Sequence, residues 1–436
     1  MIVMDFYNDI RKPINGICEH CKRFNTKPAW CQMCDPRRVV QEKSGDQNID
    51  DCIKEFQLKA TAFGNVIEWI PFNKLEHIKM IGKGGFGSVY SSTWLDGKRM
   101  VEGDNNLGYV RYRKKSCDVA LKTLPGSQTS SSEFLNEFKN HMKCRLKGSA
   151  LEVYGLTQHT ETGQYMMVYQ YANRGNLHDF LAKYFRELVW QNKIKQLADI
   201  SYDLSRIHKA GLIHNDFHSG NILINQNIDG NIISYITDLG LSRKQDEHNS
   251  KEAIYGVMPY VAPEILMGQK YTQEADIYSL GVIMAEISTG KWPYDGYKFE
   301  TKLALKICKG FRPEFANGTP DCYIDLAKQC MDANPQKRLS AEFVNSKFIQ
   351  WKIILESENL SDEELDIKKK FIDADNIIKA ISLKSLTMIQ NKYCSTLIDV
   401  QKITKNIRVS TQFGHSISKQ FGSSTLELPD NINDLN

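Results

Sequence analysis

The sequence has no long uncharged apolar run: nothing in it approaches the roughly 18 residues that a membrane span requires, so no membrane partner is expected. Its opening, Met1 to Ile10, meets Asp5 too early to hold a secretory apolar core. There is little excess charge of either sign. Lys+Arg 56 against Asp+Glu 52 leaves +4, too small to make nucleic acid or a lipid surface the main partner. No fixed-period repeat occurs. Cysteine is not spread as a secreted disulfide framework would spread it. These absences point to an intracellular, cytoplasmic chain. What is present is ordinary for a globular protein: 41% hydrophobic and 25% charged residues exclude disorder overall. At about 150 residues per domain, 436 residues suggest about three units.

Four of the 11 cysteines fall within 17 residues, as Cys18-x2-Cys21-x9-Cys31-x2-Cys34. Two such knuckles supply enough soft thiolates for a closed tetrahedral zinc site, and the metal would fold a segment too short to build its own core. Structural zinc is preferred over free thiols or a redox pair. Asn25 and Trp30 make the segment resemble a Ran-binding-protein-type zinc finger, with one gap a residue short and no tryptophan before Cys18. Docking a partner, binding ubiquitin or RNA, and bracing the rest of the chain all stay open as its role.

The expected boundaries are 1–45 for this segment, 46–74 for a helical linker, 75–353 for a main domain and 354–436 for a tail. Ile53, Phe56, Leu58 and Ala62 follow a rough helical spacing between about Asp50 and Phe63. Residues 75–125 carry β-branched and aromatic runs with Gly turns, and helical patterns dominate from Ser130 to about Trp351. In the tail, Ser361-x-x-Glu364 should cap a helix to Ile381; the Ser-, Thr-, Asn- and Gln-rich remainder is expected to be solvated and partly disordered.

Ile81-Gly82-Lys83-Gly84-Gly85-Phe86-Gly87-Ser88-Val89 holds Gly-x-Gly-x-x-Gly, which lets a backbone approach a phosphate without side-chain obstruction. The chain continues as strand rather than helix, which disfavours a dinucleotide site. Thirty-five positions after Gly87 comes Lys122, in the apolar string Val119-Ala120-Leu121-Lys122. A lysine there either snorkels to water or needs an anion. The next helix supplies one: behind a Ser130-x-x-Glu133 cap, Phe134, Phe138, Met142 and Leu146 form an i, i+4 stripe, and Glu137 flanks it.

At His214-Asn215-Asp216-Phe217-His218-Ser219-Gly220-Asn221 the sequence resembles the protein-kinase catalytic loop. Asp238-Leu239-Gly240 and Ala262-Pro263-Glu264 follow in family order, as does Arg338, which matches the arginine that pairs with that glutamate. The resemblance implies an α+β, bilobal kinase fold: an antiparallel N-lobe sheet plus one helix, and a mainly helical C-lobe. Asp276 to Gly281 would open a buried C-lobe helix. It implies an ATP- and magnesium-dependent kinase of the tyrosine-kinase-like group, acting on a protein hydroxyl and leaning to Ser/Thr. Lys122, held by Glu137, would grip the phosphates; Asp238 and Asn221 would hold magnesium; Asp216 would accept the hydroxyl proton. Residues 81–89 with Ala120, Gln170 and Ala172 would line the nucleotide site, Tyr169 standing as gatekeeper before the hinge.

Three positions depart from the family. Asn215 replaces the loop arginine, so phosphorylation at Ser242, Ser250 or Tyr255 is not expected to be a strict switch. His218 stands where Ser/Thr kinases often carry Lys, and Val257 where many carry Thr. A rival reading is therefore a pseudokinase that binds nucleotide or scaffolds, and a third makes the cysteine segment the working part. An insertion near Lys98–Lys115, including Arg111-Tyr112-Arg113-Lys114-Lys115, is expected to be a solvated charged loop rather than a nucleic-acid site.

Overall fold

The computed structural model describes residues 9–40, 42–84, 87–104, 108–129, 131–244, 254–380 and 395–406. After the cysteine segment, Asp46 accepts hydrogen bonds from the Asn48 and Ile49 amides and so starts helix α1 (Gln47–Lys59). The smaller lobe follows: β1 (Glu68–Trp69), β2 (Leu75–Gly84), β3 (Gly87–Trp94), the hairpin β4 (Arg99–Asp104) and β5 (Gly108–Arg113), β6 (Cys117–Thr123), helix α2 (Ser132–Leu146), β7 (Val153–Gln158) and β8 (Tyr165–Gln170). The sheet runs β1-β7-β8-β6-β3-β2. It is antiparallel except at its edge, where β1 from the 46–74 stretch lies parallel to β7.

The larger lobe holds α3 (Leu177–Tyr184), α4 (Trp190–Lys209), β9 (Leu212–Ile213), β10 (Ile222–Gln226), β11 (Ile232–Ile236), β12 (Arg243–Lys244), β13 (Ile254–Gly256), α5 (Pro263–Leu266), α6 (Gln273–Thr289), α7 (Thr301–Cys308), α8 (Asp321–Cys330), α9 (Ala341–Glu356) and α10 (Asp362–Ala380). A last strand, β14 (Thr396–Ile398), pairs with β13. Helix α6 is apolar nearly all round and buried along its length, as its sequence requires. A buried bidentate pair, Arg338 to Glu264 at 2.7 Å through both nitrogens, ties the start of α9 to α5.

Local expectations change in three places: helix α2, the charged insertion and the tail. Helix α2 is capped by Ser131, whose hydroxyl accepts from the Phe134 amide at 3.2 Å; Ser130, the expected cap, lies outside the described residues. Phe134, Phe138 and Met142 are buried as the stripe predicts, whereas Leu146 at its end is exposed, beyond the reach of the sheet.

The charged insertion stays largely exposed, as expected, but it is not a loop. It folds as the β4–β5 hairpin, and its arginines are engaged: Arg113 and Arg99 both reach Glu68, and Arg111 donates to the Ala29 carbonyl at 2.5 Å and to Asp35 at 2.6 Å. Arg111 also stacks over Trp30. Guanidinium groups meet carboxylates and ring faces here because their flat, weakly hydrated heads suit both.

The tail departs from expectation as well. Ser361 and Glu364 do form the reciprocal cap of α10. Residues 395–406, however, are packed against the larger lobe, with Ile398 and Ile403 in its core. Burial of these two aliphatic side chains outweighs the polar composition around them.

Candidate active site

Strand pairing sets the floor of the cleft. Val89 lies opposite Lys122 and Ser91 opposite Ala120, while Ala120 faces Tyr169 and Val119 faces Gln170 on the other side. Ile81, Gly82, Lys83 and Gly84 end β2, and Gly87, Ser88 and Val89 begin β3; Gly85 and Phe86 lie outside the described residues. Gly87 has φ +135°, and a Cβ there would fall 1.9 Å from the Thr123 carbonyl oxygen, so no other residue fits that turn. Gln170 donates to the Tyr235 hydroxyl at 2.9 Å, fixing the chain just before Ala172.

Lys122 occupies the centre. Its Nζ donates to Glu137 Oε1 at 2.6 Å and to Asp238 Oδ1 at 2.8 Å. Two carboxylates hold the buried ammonium well above its ordinary pKa against the effect of burial. In return Lys122 offsets burial at Asp238 and keeps it below the usual carboxylate range. Burial raises Glu137, against the pull of Lys122 and with a contribution from Asp238. One ammonium shared by two carboxylates favours charge on the one nearer solvent, and Asp238 is the more exposed.

Helix α2 approaches the 238–242 segment at three more points. His141 Nε2 accepts from the Leu239 amide at 3.5 Å, Asn140 donates to the Ser242 carbonyl at 3.3 Å, and a Cβ on Gly240 would stand 2.7 Å from Glu137 Oε2. Leu239 can therefore stand where the family has Phe: it is buried and packs into the larger-lobe core.

Asp216 is presented by a loop that Asp276 braces. The Asp276 carboxylate accepts from the His214 amide at 2.8 Å and the Asn215 amide at 3.2 Å. Asn221 Nδ2 donates to the Asp216 carbonyl at 2.9 Å and to its Oδ2 at 3.4 Å, which leaves the amide oxygen as the Asn221 atom able to ligate a cation. Burial pushes Asp216 up, but His218, the Ser395 hydroxyl and His214 outweigh it and keep the group ionised. His218 Nδ1 accepts from the Gly220 amide, and its Nε2 lies 3.7 Å from Asp216 Oδ2. Asn215 donates directly to the Leu241 carbonyl at 2.7 Å, a neutral bond in the place of a charged fork. Ser242 is buried with its hydroxyl on the His214 carbonyl, which makes it a poor phosphate acceptor; Ser250 lies outside the described residues.

Sequence reasoning had not given roles to His141, Asn140 or the Asp276 carboxylate. A carboxylate on the buried side of a largely apolar helix was the available signal for Asp276. His141 and Asn140 carried none beyond their place on the Glu137 helix.

At the other end of the chain, the sulfurs of Cys18, Cys21, Cys31 and Cys34 lie within 4.8 Å of one another. A tetrahedron with metal–sulfur bonds of about 2.3 Å has edges of about 3.8 Å, and Cys21 and Cys31 stand 3.8 Å apart. The donor set and spacing fit a zinc ion. Arg11 donates to Cys21 and Cys31 at 3.9 and 3.6 Å, an arrangement suited to thiolates.

A family model for protein tyrosine and serine/threonine kinases matches residues 75–348. The chain belongs to that family. It is similar to tyrosine-protein kinase Src64B of Drosophila melanogaster, 28% identical over 293 residues, covering 66% of this chain and 48% of that one. A candidate serine/threonine-protein kinase/receptor of Acanthamoeba polyphaga mimivirus is 33% identical over 277 residues, 63% of this chain and 15% of the relative. The dual specificity protein kinase splA of Dictyostelium discoideum is 27% identical over 287 residues, 62% and 11% respectively. The chain thus spans less than half of each relative's length. Among the described residues of the kinase domain and its flanks, no helix is long and apolar enough to cross a membrane.

Proposed function

We propose that this chain is an active protein kinase that transfers the γ-phosphate of ATP to a Ser or Thr hydroxyl of a protein. The observation that carries the reading is the bridge from Lys122 to both Glu137 and Asp238, at 2.6 and 2.8 Å, beside an ionised Asp216. A structure with Lys122 turned to water would have favoured the pseudokinase. Magnesium, when bound, neutralises charge on the transferring phosphate; Asp238 and Asn221 would hold it, being the oxygen donors a hard cation selects. Lys122 binds and orients the phosphates. Residues 81–89 cover them with backbone amides, and Ala120, Gln170 and Ala172 line the base. Asp216 accepts the proton of the attacking hydroxyl, and Asn221 and His218 hold its carboxylate in place. Asn215 bonds the segment without a phosphate, which supports activity that needs no prior phosphorylation there.

Zinc on Cys18, Cys21, Cys31 and Cys34 would be structural, since four thiolates leave no open position. Its role in this reading is bracing: Trp30 is buried and donates to the Ala60 carbonyl at 3.2 Å, beside Arg111 of the inserted hairpin. A cytoplasmic setting belongs to this reading, because cysteines clustered at metal-ligand spacing suit reduced thiolates rather than a disulfide framework.

Labelled ATP with magnesium, beside an Asp216→Ala control, tests the reading. Incorporation into a protein substrate that disappears in the control is the expected result. Nucleotide-dependent thermal stabilisation without any incorporation would mean a binding module instead.

A further inference from the structure

The edge of β13, beside the catalytic loop, is occupied by the chain's own tail. β14 runs antiparallel to it, with Ile254 opposite Ile398, Tyr255 opposite Leu397 and Gly256 opposite Thr396. The segment is anchored from its C-terminal side. Ile398 and Ile403 are buried in the core of the larger lobe, and Val400 packs against it, its Cγ1 3.1 Å from where a Cβ on Gly268 would be. Asp399 caps the helical turn over 400–406, its carboxylate accepting from the Lys402 amide at 2.9 Å. A slip of one residue would exchange Ile398, 5% exposed, for Leu397, 61% exposed, so the register is specified.

That register delivers one hydroxyl to the catalytic loop. Ser395, directly before the strand, donates through Oγ to Asp216 Oδ2 at 2.5 Å. The second carboxylate oxygen, Oδ1, is buried without a partner among the described residues. A hydroxyl within hydrogen-bond distance of the loop carboxylate is the geometry of an acceptor substrate and its general base. A purely inhibitory plug would need only the strand and its anchors; it would not need a hydroxyl at this point.

We propose that Ser395 is this kinase's own phosphoacceptor, presented in cis as a bound substrate strand. The proposal rests on the reading of the chain as an active kinase and adds two things to it: a modification site, and a substrate class. That class is a serine in an extended segment that pairs with β13 and carries an aliphatic side chain three residues after the acceptor, the place Ile398 takes. In the transfer, a bond forms between Ser395 Oγ and the γ-phosphorus of ATP while the bond from that phosphorus to the β,γ-bridging oxygen breaks. The electron pair leaves with ADP, and the hydroxyl proton goes to Asp216. The product carries about two negative charges against the Asp216 carboxylate, which repels the strand and opens the β13 edge to other substrates.

The test uses the full chain, first freed of phosphate, with ATP and magnesium and with casein as an external substrate. Phosphosites are mapped by mass spectrometry over time and at several protein concentrations. The expected result is early phosphate on Ser395, at a rate per chain that does not change on dilution. Leu397→Pro places a proline inside β14 at an exposed position, which disfavours pairing with β13, and leaves Ile398 and Ile403 intact. In it, Ser395 labelling should fall and casein labelling rise, with melting curves recorded beside both. Casein labelled while Ser395 stays bare overturns this inference and leaves the kinase reading standing. Neither labelled overturns both. A Ser395 rate that rises in proportion to protein concentration places the acceptor in a second molecule and overturns the cis assignment.

Discussion

Phe56, from the helix before the kinase domain, meets Phe138 edge-on with ring centroids 6.4 Å apart. Phe138 directly follows Glu137, the partner of Lys122. With Ile49, Ile53 and Ile67 the pair belongs to one buried cluster that reaches Phe134 and Met142, so α1 forms part of the seat on which the Glu137 helix rests. Phe56→Ala should cost about 3–5 kcal/mol of stability and lower phosphoryl transfer as well, because Glu137 loses its backing. Thermal melts and kcat/KM for casein check this; a melt shift with unchanged kcat/KM would separate α1 from the site.

Lys122→Met leaves Glu137 and Asp238 facing each other without their cation. Breaking a buried pair in this way costs about 3–5 kcal/mol, moderated here because Asp238 is partly exposed. Transfer should drop by about two orders of magnitude or more, the scale for removing one preorganised electrostatic contact. Single-turnover assays with labelled ATP measure the loss.

His141 gives the fold a dependence on acid. Burial, helped by Lys122, lowers its pKa from 6.5 to about 3, so the folded protein keeps it neutral. The unfolded chain binds the proton more readily over that interval. Its contribution is therefore fully present above pH 6.5 and is lost as pH falls toward 3. Between pH 7 and 5 the loss is about 2 kcal/mol. Melting temperatures of the wild type and His141→Asn across that range should show a shallower pH slope in the variant.

Arg111 joins the hairpin to the cysteine segment through Asp35, the Ala29 carbonyl and the Trp30 ring. Its side chain is more than a third exposed, so solvent screening holds the ion pair to about 1 kcal/mol. Arg111→Ala should raise amide hydrogen exchange in residues 15–35 and leave exchange in α6 unchanged.

Removal of zinc should have a larger effect at the same place. The metal is expected at one ion per chain by elemental analysis. A chelator should release it and expose Trp30, red-shifting emission relative to a Trp30→Phe variant treated in the same way. Loss of zinc without any change at Trp30 would contradict the bracing role.

Much of the candidate site was legible because kinase chemistry constrains residue type at short range. The glycines of 82–87, Lys122 in an apolar strand, Glu137 beside a helical stripe, and Asp216 with Asn221 five positions later are all local patterns. The inserted hairpin was misread for a related reason. Arg111 and Arg113 look solvated in sequence because their partners, Asp35 and Glu68, lie 76 and 45 positions away.

By itself, then, the sequence determined the two-lobed architecture, the order of the motifs and the pairing of the four cysteines into two knuckles, all features written in spacings of a few residues. The tertiary structure alone decided that α1 backs the Glu137 helix, that the hairpin clasps the cysteine segment, and that Ser395 meets Asp216 across 179 positions of chain. Such contacts depend on which buried faces find each other. Ile398 and Ile403 fix the tail by packing against distant helices, and neither residue differs in local sequence from one left in solvent.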